Sequence, residues 1–119
     1  MEANTFYISL FQTNQKFAYL RVVRHTMTEP INIKEIIELV RQQEPNRQDI
    51  IIALTNSFGG KWESKAYYKF VDSTNANEKG AEWQFDENIV LESETLGTIV
   101  IDFLKDKRIG GIEFLKNLD

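Results

Sequence analysis

Carboxylates are the residues of this chain that could do chemistry, and half of them lie in its last third. Two neighbouring acids can act as general acid and base, or can hold Mg²⁺ or Ca²⁺ through oxygen ligands. Their spacing matches neither a calcium loop of the D-x-D-x-D-G type nor an H-x-E motif. We therefore interpret them as solvated or partner-facing groups. They are Asp86, Glu87, Glu92, Glu94, Asp102, Asp106, Glu113 and Asp119.

Asp102 differs from the other acids because it interrupts an apolar run, between Ile101 and Phe103. A charge among apolar side chains needs a partner, since its burial is otherwise costly. We expect Asp102 either to pair with a basic residue across a hairpin or to point outward at a partner.

Other signatures of catalysis are missing from the sequence. There is no cysteine, and the single histidine, His25, has no second His or Cys nearby with which to share a metal. No nucleophile-elbow pattern accompanies the serines. The sequence therefore predicts a non-enzymatic protein without a cofactor or a metal. A hydrolase that uses two carboxylates and a divalent ion stays open as an alternative.

Two glycine pairs resemble phosphate-binding loops only superficially. Gly59-Gly60 and Lys61 are followed by Trp62, where a phosphate-binding loop has Ser or Thr. We interpret this pair as a hairpin turn. Gly110-Gly111 lies inside a strand pattern, which indicates a β-bulge or a close approach of two backbones.

Charge is distributed unevenly along the chain, and this favours a protein partner. The net charge is −4 over 119 residues. Residues 1–77 carry a net +1, whereas residues 78–119 have five basic against ten acidic residues, a net −5. Such a surface repels phosphate backbones and attracts a basic protein. We predict that the partner-binding residues are Glu82, Asp86, Glu87, Glu92 and Glu94, with Trp83 as a possible hot spot.

A small single-stranded nucleic-acid-binding module is the alternative function. Lys61, Lys65, Tyr67 and Lys69 would share one strand face, on which bases could stack. Core packing and ordinary solvation of a strand explain the same pattern, and the acidic balance makes nucleic acid an unlikely partner.

The clearest element of the sequence is a helix over residues 32–44. Asn32 can cap it, with Glu35 completing a capping-box pair. Isoleucines and Val40 recur at helical spacing and form one apolar stripe, and Pro45 ends the helix. An antiparallel hairpin is predicted before it, from strands at residues 5–11 and 17–23.

Strand patterns dominate the rest of the chain. The continuous apolar run within residues 49–57 predicts a central strand covered on both faces. Alternation over residues 62–70 predicts a half-buried strand, and residues 72–82 predict a loop. Further strands are predicted at residues 83–85, 89–91, 97–104 and 108–115, with a turn at residues 105–107. These elements predict one α+β domain over residues 1–119, a mostly antiparallel twisted sheet of about six strands with one main helix packed on one face.

Nothing in the sequence suggests a membrane protein. No run approaches the roughly 18 apolar residues of a membrane span. The amino-terminal residues are acidic where a secretory signal is basic. We expect a cytoplasmic protein of undetermined oligomeric state.

Residues 97–115, GTIVIDFLKDKRIGGIEFL, resemble the closing hairpin of small bacterial domains of uncharacterised function. As a small, acidic, cysteine-free α+β chain, the protein is also similar to immunity proteins of contact-dependent growth inhibition and related polymorphic toxin systems. This resemblance implies a cytoplasmic protein that binds a cognate toxin with a basic surface, often a nuclease, and masks its active site.

Overall fold

The computed structural model describes residues 30–118. This part of the chain has two helices followed by five strands, and is therefore α+β as the sequence predicts. The helices are α1 (Ile33–Gln43) and α2 (Gln48–Thr55); the strands are β1 (Lys61–Trp62), β2 (Tyr67–Lys69), β3 (Phe85–Ser93), β4 (Gly97–Leu104) and β5 (Ile109–Phe114). The predicted hairpin at residues 5–11 and 17–23, and His25, lie outside the described residues.

The strands form one sheet in the order β1-β2-β5-β4-β3, and every neighbouring pair is antiparallel. The predicted antiparallel arrangement is thus confirmed, while the predicted number of strands is wrong for the described chain. Among the strands of residues 30–118, β3 and β1 are the two edges of this sheet. β3 has nine residues and β1 only two, so β3 offers by far the longer edge.

Helix α1 forms where the sequence predicts it. The Asn32 side chain accepts a hydrogen bond from the Glu35 backbone N–H at 3.2 Å, which satisfies one of the donors left unpaired at a helix start. The Glu35 carboxylate does not close the predicted capping box. It accepts instead from the Thr95 hydroxyl, in the turn between β3 and β4.

The predicted central strand at residues 49–57 is wrong, because these residues form helix α2. Ile50, Ile51, Ala53 and Leu54 are buried, while Ile52 is 59% exposed. In a helix, one residue of such a run faces outward, while the others pack in the core between the helices and the sheet. The prediction of one main helix therefore becomes two helices, and Gly59-Gly60 joins α2 to β1 where a hairpin turn was predicted.

Two further strand predictions differ from the structure. The single strand predicted at residues 62–70 is two short strands, β1 and β2, paired through Trp62 and Tyr68. The separate strands predicted at residues 83–85 and 89–91 are largely one strand, β3, which carries a bulge between Phe85 and Glu87. β4 has the predicted bounds, and residues 105–107 form the predicted turn.

The main hydrophobic core lies between the helices and one face of the sheet. Side chains of both helices pack there against alternate residues of the strands, among them Ile89, Ile101 and Ile112. A fully buried aliphatic side chain of this size contributes roughly 1.5–3 kcal/mol. We call the opposite side of the sheet the outer face.

A second, smaller cluster covers one end of the outer face. It consists of Val71, Trp83 and Leu104. The Trp83 ring lies against Gly110, where an added Cβ would come within 2.6 Å of it. The register of β4 with β5 shifts between Asp102 and Phe103, opposite this glycine. Of the two alternatives predicted for Gly110-Gly111, the bulge is therefore confirmed; the group that approaches Gly110 is the Trp83 side chain, not a second backbone.

Candidate protein-binding surface

Two of the six predicted partner-binding residues are held in ion pairs within the described chain. Glu82 accepts a hydrogen bond from the Arg108 guanidinium at 2.9 Å. Asp106 binds the same guanidinium, and this contact lowers the pKa of its carboxyl below the ordinary value. Glu87 pairs with Arg47, at the start of α2. These acids have already lost part of their capacity to attract a basic partner.

Arg47 ties the start of α2 to the sheet. Its guanidinium donates to Asp49 at 3.1 Å and to Glu87 at 3.2 and 2.5 Å, and it lies 6.0 Å from the centre of the Phe103 ring. The hydrogen bond from Arg47 is the main reason why the pKa of Asp49 is lowered. Hydrogen bonds to Asp49 and Glu87 in turn raise the pKa of Arg47. This arrangement is structural, since one guanidinium holds two carboxylates and links the start of α2 to β3.

Trp83, named from the sequence as a possible hot spot, lies inside the fold. Its side chain is only 7% exposed and packs in the outer-face cluster. Such a ring contributes to stability through burial rather than to a partner's contact surface. The sequence offers no signal for this outcome, because the glycine that admits the ring lies 27 positions further along the chain.

The other predicted acids lie along β3 and in the turn that follows it. Asp86 sits at the bulge, Glu92 lies on the outer face and Glu94 begins the turn; all three are exposed. Glu92 accepts a hydrogen bond from the Thr98 hydroxyl at 2.7 Å. The predicted acids thus do not share a single face: Glu87 points towards the helices, whereas Glu92 lies on the outer face.

A strip of exposed residues along β3 is the surface that these acids define. We call it the β3 acidic edge, and it comprises Asp86, Asn88, Val90, Glu92 and Glu94. Val90 is 52% exposed on the outer face, across from Val100 on β4. Protein-binding surfaces have an apolar centre and a polar rim, and Val90 between these acids has that arrangement on the scale of one side chain.

Gln43 of α1 pairs with the backbone of the β3 acidic edge at one position. Its side-chain amide donates to the Glu92 carbonyl at 2.7 Å and accepts from the Glu92 N–H at 2.9 Å. Both backbone groups of Glu92 therefore point away from β4. Since backbone groups alternate in direction along an antiparallel strand, those of Val90 and Asn88 point the same way. No hydrogen bond joins these four groups to any residue in the range 30–118.

A polar network lies next to the β3 acidic edge on the outer face. Asp102 accepts hydrogen bonds from the Tyr67 hydroxyl at 2.7 Å and from the Asn88 amide at 2.6 Å. Both partners are neutral, so the predicted pairing of Asp102 with a basic residue across the hairpin is wrong. Sequence reasoning missed Asn88 because it becomes a neighbour of Asp102 only through the register of β3 with β4.

Tyr67 packs closely on the glycine beside it in the sheet. A Cβ added at Gly111 would lie 2.2 Å from the Tyr67 hydroxyl oxygen, so only glycine leaves room for the ring. Burial is the main cause that raises the pKa of Tyr67 above its ordinary value, and the Asp102 carboxylate raises it further. The phenol therefore stays protonated and keeps its hydrogen bond.

The alternative nucleic-acid face is less accessible than the sequence suggests. Lys69 pairs with Glu63 at 3.3 Å, and its side chain is only 18% exposed. The Tyr67 ring is half-buried against Gly111, and Glu63 and Glu113 add negative charge around it. A phosphate backbone would meet these acids before it reached the ring.

Comparison with protein-family models, with curated proteins and with solved structures finds no match to this chain. Within residues 30–118, no three His, Cys, Asp or Glu side chains lie close enough together to hold a metal ion. Neither helix of the described chain has the length and apolar character needed to cross a membrane.

Proposed function

We propose that the protein binds another protein without catalysing a reaction, and that it acts in the cytoplasm as an immunity protein. Its partner is a toxin domain with a basic surface, and binding masks the active site of that toxin. The observation that carries the proposal is the β3 acidic edge, where exposed acids flank the exposed side chain of Val90.

The charge of the exposed acids indicates what kind of partner surface would bind. Glu82 and Glu87 are paired with Arg108 and Arg47 within the chain, whereas Asp86, Glu92 and Glu94 form no ion pair within the described residues. Complementary charge on a basic cleft speeds association, whereas buried apolar contacts slow release. A nuclease is a suitable partner, because it holds its phosphate substrate in a basic cleft.

A growth-protection assay tests the proposal. The product of the reading frame directly upstream is expressed alone and then together with this chain; we expect growth arrest in the first case and growth in the second. Failure of this chain to restore growth, or an upstream product without toxicity, contradicts the assignment as an immunity protein.

A charge variant tests which surface binds. The triple substitution Asp86→Asn, Glu92→Gln, Glu94→Gln should weaken binding to the toxin domain by at least about tenfold at low salt and should flatten the salt dependence. The matched control Glu38→Gln, Glu63→Gln, Glu78→Gln removes the same charge away from β3 and should have little effect. Equal losses in both variants contradict a specific role for the β3 acidic edge.

A gel-shift assay separates this function from the alternative. We expect no shift of single-stranded or duplex oligonucleotides at micromolar protein. A salt-sensitive shift that is lost on substitution of Lys61 and Lys69 would contradict the protein-binding proposal.

A further inference from the structure

Within residues 30–118, the long edge of the sheet has unpaired backbone groups at its centre. The N–H and C=O groups of Asn88 and Val90 point away from β4, as deduced from the bonds that Gln43 makes to Glu92. In the part of the chain that the structure describes, no hydrogen bond reaches them. Exposed rows of such groups are a template for another strand.

Gln43 shows how this edge accepts a strand. Its amide presents one acceptor and one donor to Glu92, as a residue of a neighbouring strand would. The amide thereby ends the open edge at Glu92. The bulge at Asp86 interrupts the ladder at the other end. Between these two limits the edge has space for a short segment of about four hydrogen bonds.

Charge decides what kind of segment fits. Two copies of this chain paired antiparallel, with Asn88 of one copy across from Val90 of the other, would set Asp86 of one copy across from Glu92 of the other. Like charges directly opposite each other destabilise a strand pair. A segment with lysine or arginine across from Asp86 and Glu92, and an aliphatic or β-branched residue across from Val90 on the same face, would instead match this edge.

We propose that the β3 acidic edge binds an extended, basic segment of the partner protein by β-strand addition at Asn88 and Val90. This inference rests on the proposed function and specifies how the partner is bound. Main-chain hydrogen bonds supply the affinity, and the acids and Val90 select the sequence of the added strand.

Amide hydrogen exchange of the full-length protein tests the inference without any substitution. The probe is the synthetic peptide Lys-Thr-Val-Thr-Thr-Thr-Lys, added at low salt, whose two lysines and valine share one face of the added strand. We expect the amides of Asn88 and Val90 to become protected, while the amide of Leu91, already bonded to β4, stays unchanged. The same peptide with glutamate in place of lysine, or with N-methylated alternate residues, should give no protection.

A proline substitution gives an independent test. Val90→Pro removes an N–H that β4 does not use, and proline is tolerated at edge positions whose N–H faces solvent. We expect about tenfold weaker peptide binding from the loss of one hydrogen bond and the local fit. Val90→Thr keeps the N–H and the branched shape and should bind normally. Thermal unfolding of both variants checks that they are folded.

Three results would overturn the inference. The first is binding of the lysine peptide with no protection at Asn88 and Val90. The second is equal binding of the peptide and its N-methylated form. The third is slow exchange of both amides before any peptide is added, which would mean that another part of this chain or a second copy already pairs with the edge.

If the toxin domain still binds in a charge-dependent way, the proposed function stands while the strand-addition inference falls; if neither the toxin domain nor the peptide binds, both fall.

Discussion

Gly111 is the residue at which the sheet has least room for a side chain. Its hydrogen leaves space for the Tyr67 ring, whose hydroxyl then reaches Asp102. The polar network on the outer face therefore depends on Gly111, although this residue has no side chain with which to join the network. The same reasoning explains the position of Trp83 over Gly110.

Substitution of Gly111 by alanine should destabilise the protein by about 1–3 kcal/mol, because the new methyl group overlaps the Tyr67 ring. The free energy of unfolding, measured with a chemical denaturant, checks this. The control is a double-mutant cycle with Tyr67→Ala, in which Gly111→Ala should cost much less. An equal cost in both backgrounds would show that the ring is not what restricts this position.

Tyr67 should make stability depend on alkaline pH. Its raised pKa in the folded protein means that the folded state favours the protonated phenol. The resulting stabilisation is present below the pKa of an unfolded tyrosine, about 10, and is lost as pH rises above it.

The unfolding free energy of the wild type should accordingly fall more steeply above about pH 10 than that of Tyr67→Phe. Denaturant unfolding at a series of alkaline pH values measures this difference. Parallel pH profiles would contradict the assigned environment of Tyr67.

At the scale of elements, the sequence predicted α1 and β4 well and α2 poorly. α1 has a capping asparagine, one apolar stripe and a proline after it, and these signals are local. Residues 50–54 have an unbroken apolar run, which a buried strand and a short buried helix share. The helical pattern becomes visible only when Ile52 is known to be exposed.

The ion pairs of the predicted surface acids escaped sequence reasoning for a related reason. Glu82 and Glu87 are as acidic as their neighbours, but tertiary contacts place Arg108 and Arg47 beside them. Contacts between residues 26 or 40 positions apart cannot be deduced from charge counts. The exposed acids of β3 are the part of the predicted site that the folded chain leaves accessible.

Arg47 should contribute more to stability than an ordinary surface arginine. Arg47→Met removes a network that links α2 to β3 and should cost about 1–2 kcal/mol at neutral pH. Arg41→Met is the matched control, since Arg41 makes one 3.5 Å contact with Glu38 and is 57% exposed; it should cost no more than about 0.5 kcal/mol.

The effect of Arg47 should also diminish in acid. The pKa of Asp49 is lowered in the folded state, so its contribution is present above the unfolded value of about 3.9 and is lost as pH falls below it. The difference in unfolding free energy between wild type and Arg47→Met should therefore shrink between neutral pH and about pH 3. A constant difference would show that the charge pair is not its source.

At the scale of the whole molecule, the negative charge should keep copies of the chain apart. The net charge is −4, and the long open edge carries acids at both ends. We expect a monomer at neutral pH by sedimentation equilibrium. The triple substitution at Asp86, Glu92 and Glu94 should allow self-association about tenfold tighter, because repulsion between paired edges is removed. A wild-type dimer that is insensitive to salt would contradict this expectation.

The placement of the two tryptophans gives the protein two separate optical reporters. Trp62 belongs to the core beneath the helices, whereas Trp83 belongs to the three-residue cluster on the outer face. Indole fluorescence shifts to longer wavelength when water reaches the ring. The variant Trp83→Phe keeps only Trp62, which reports on the main core, and Trp62→Phe keeps only Trp83, which reports on the outer-face cluster. Because the outer layer is held by so few side chains, its emission should change at a lower denaturant concentration than that of the inner layer.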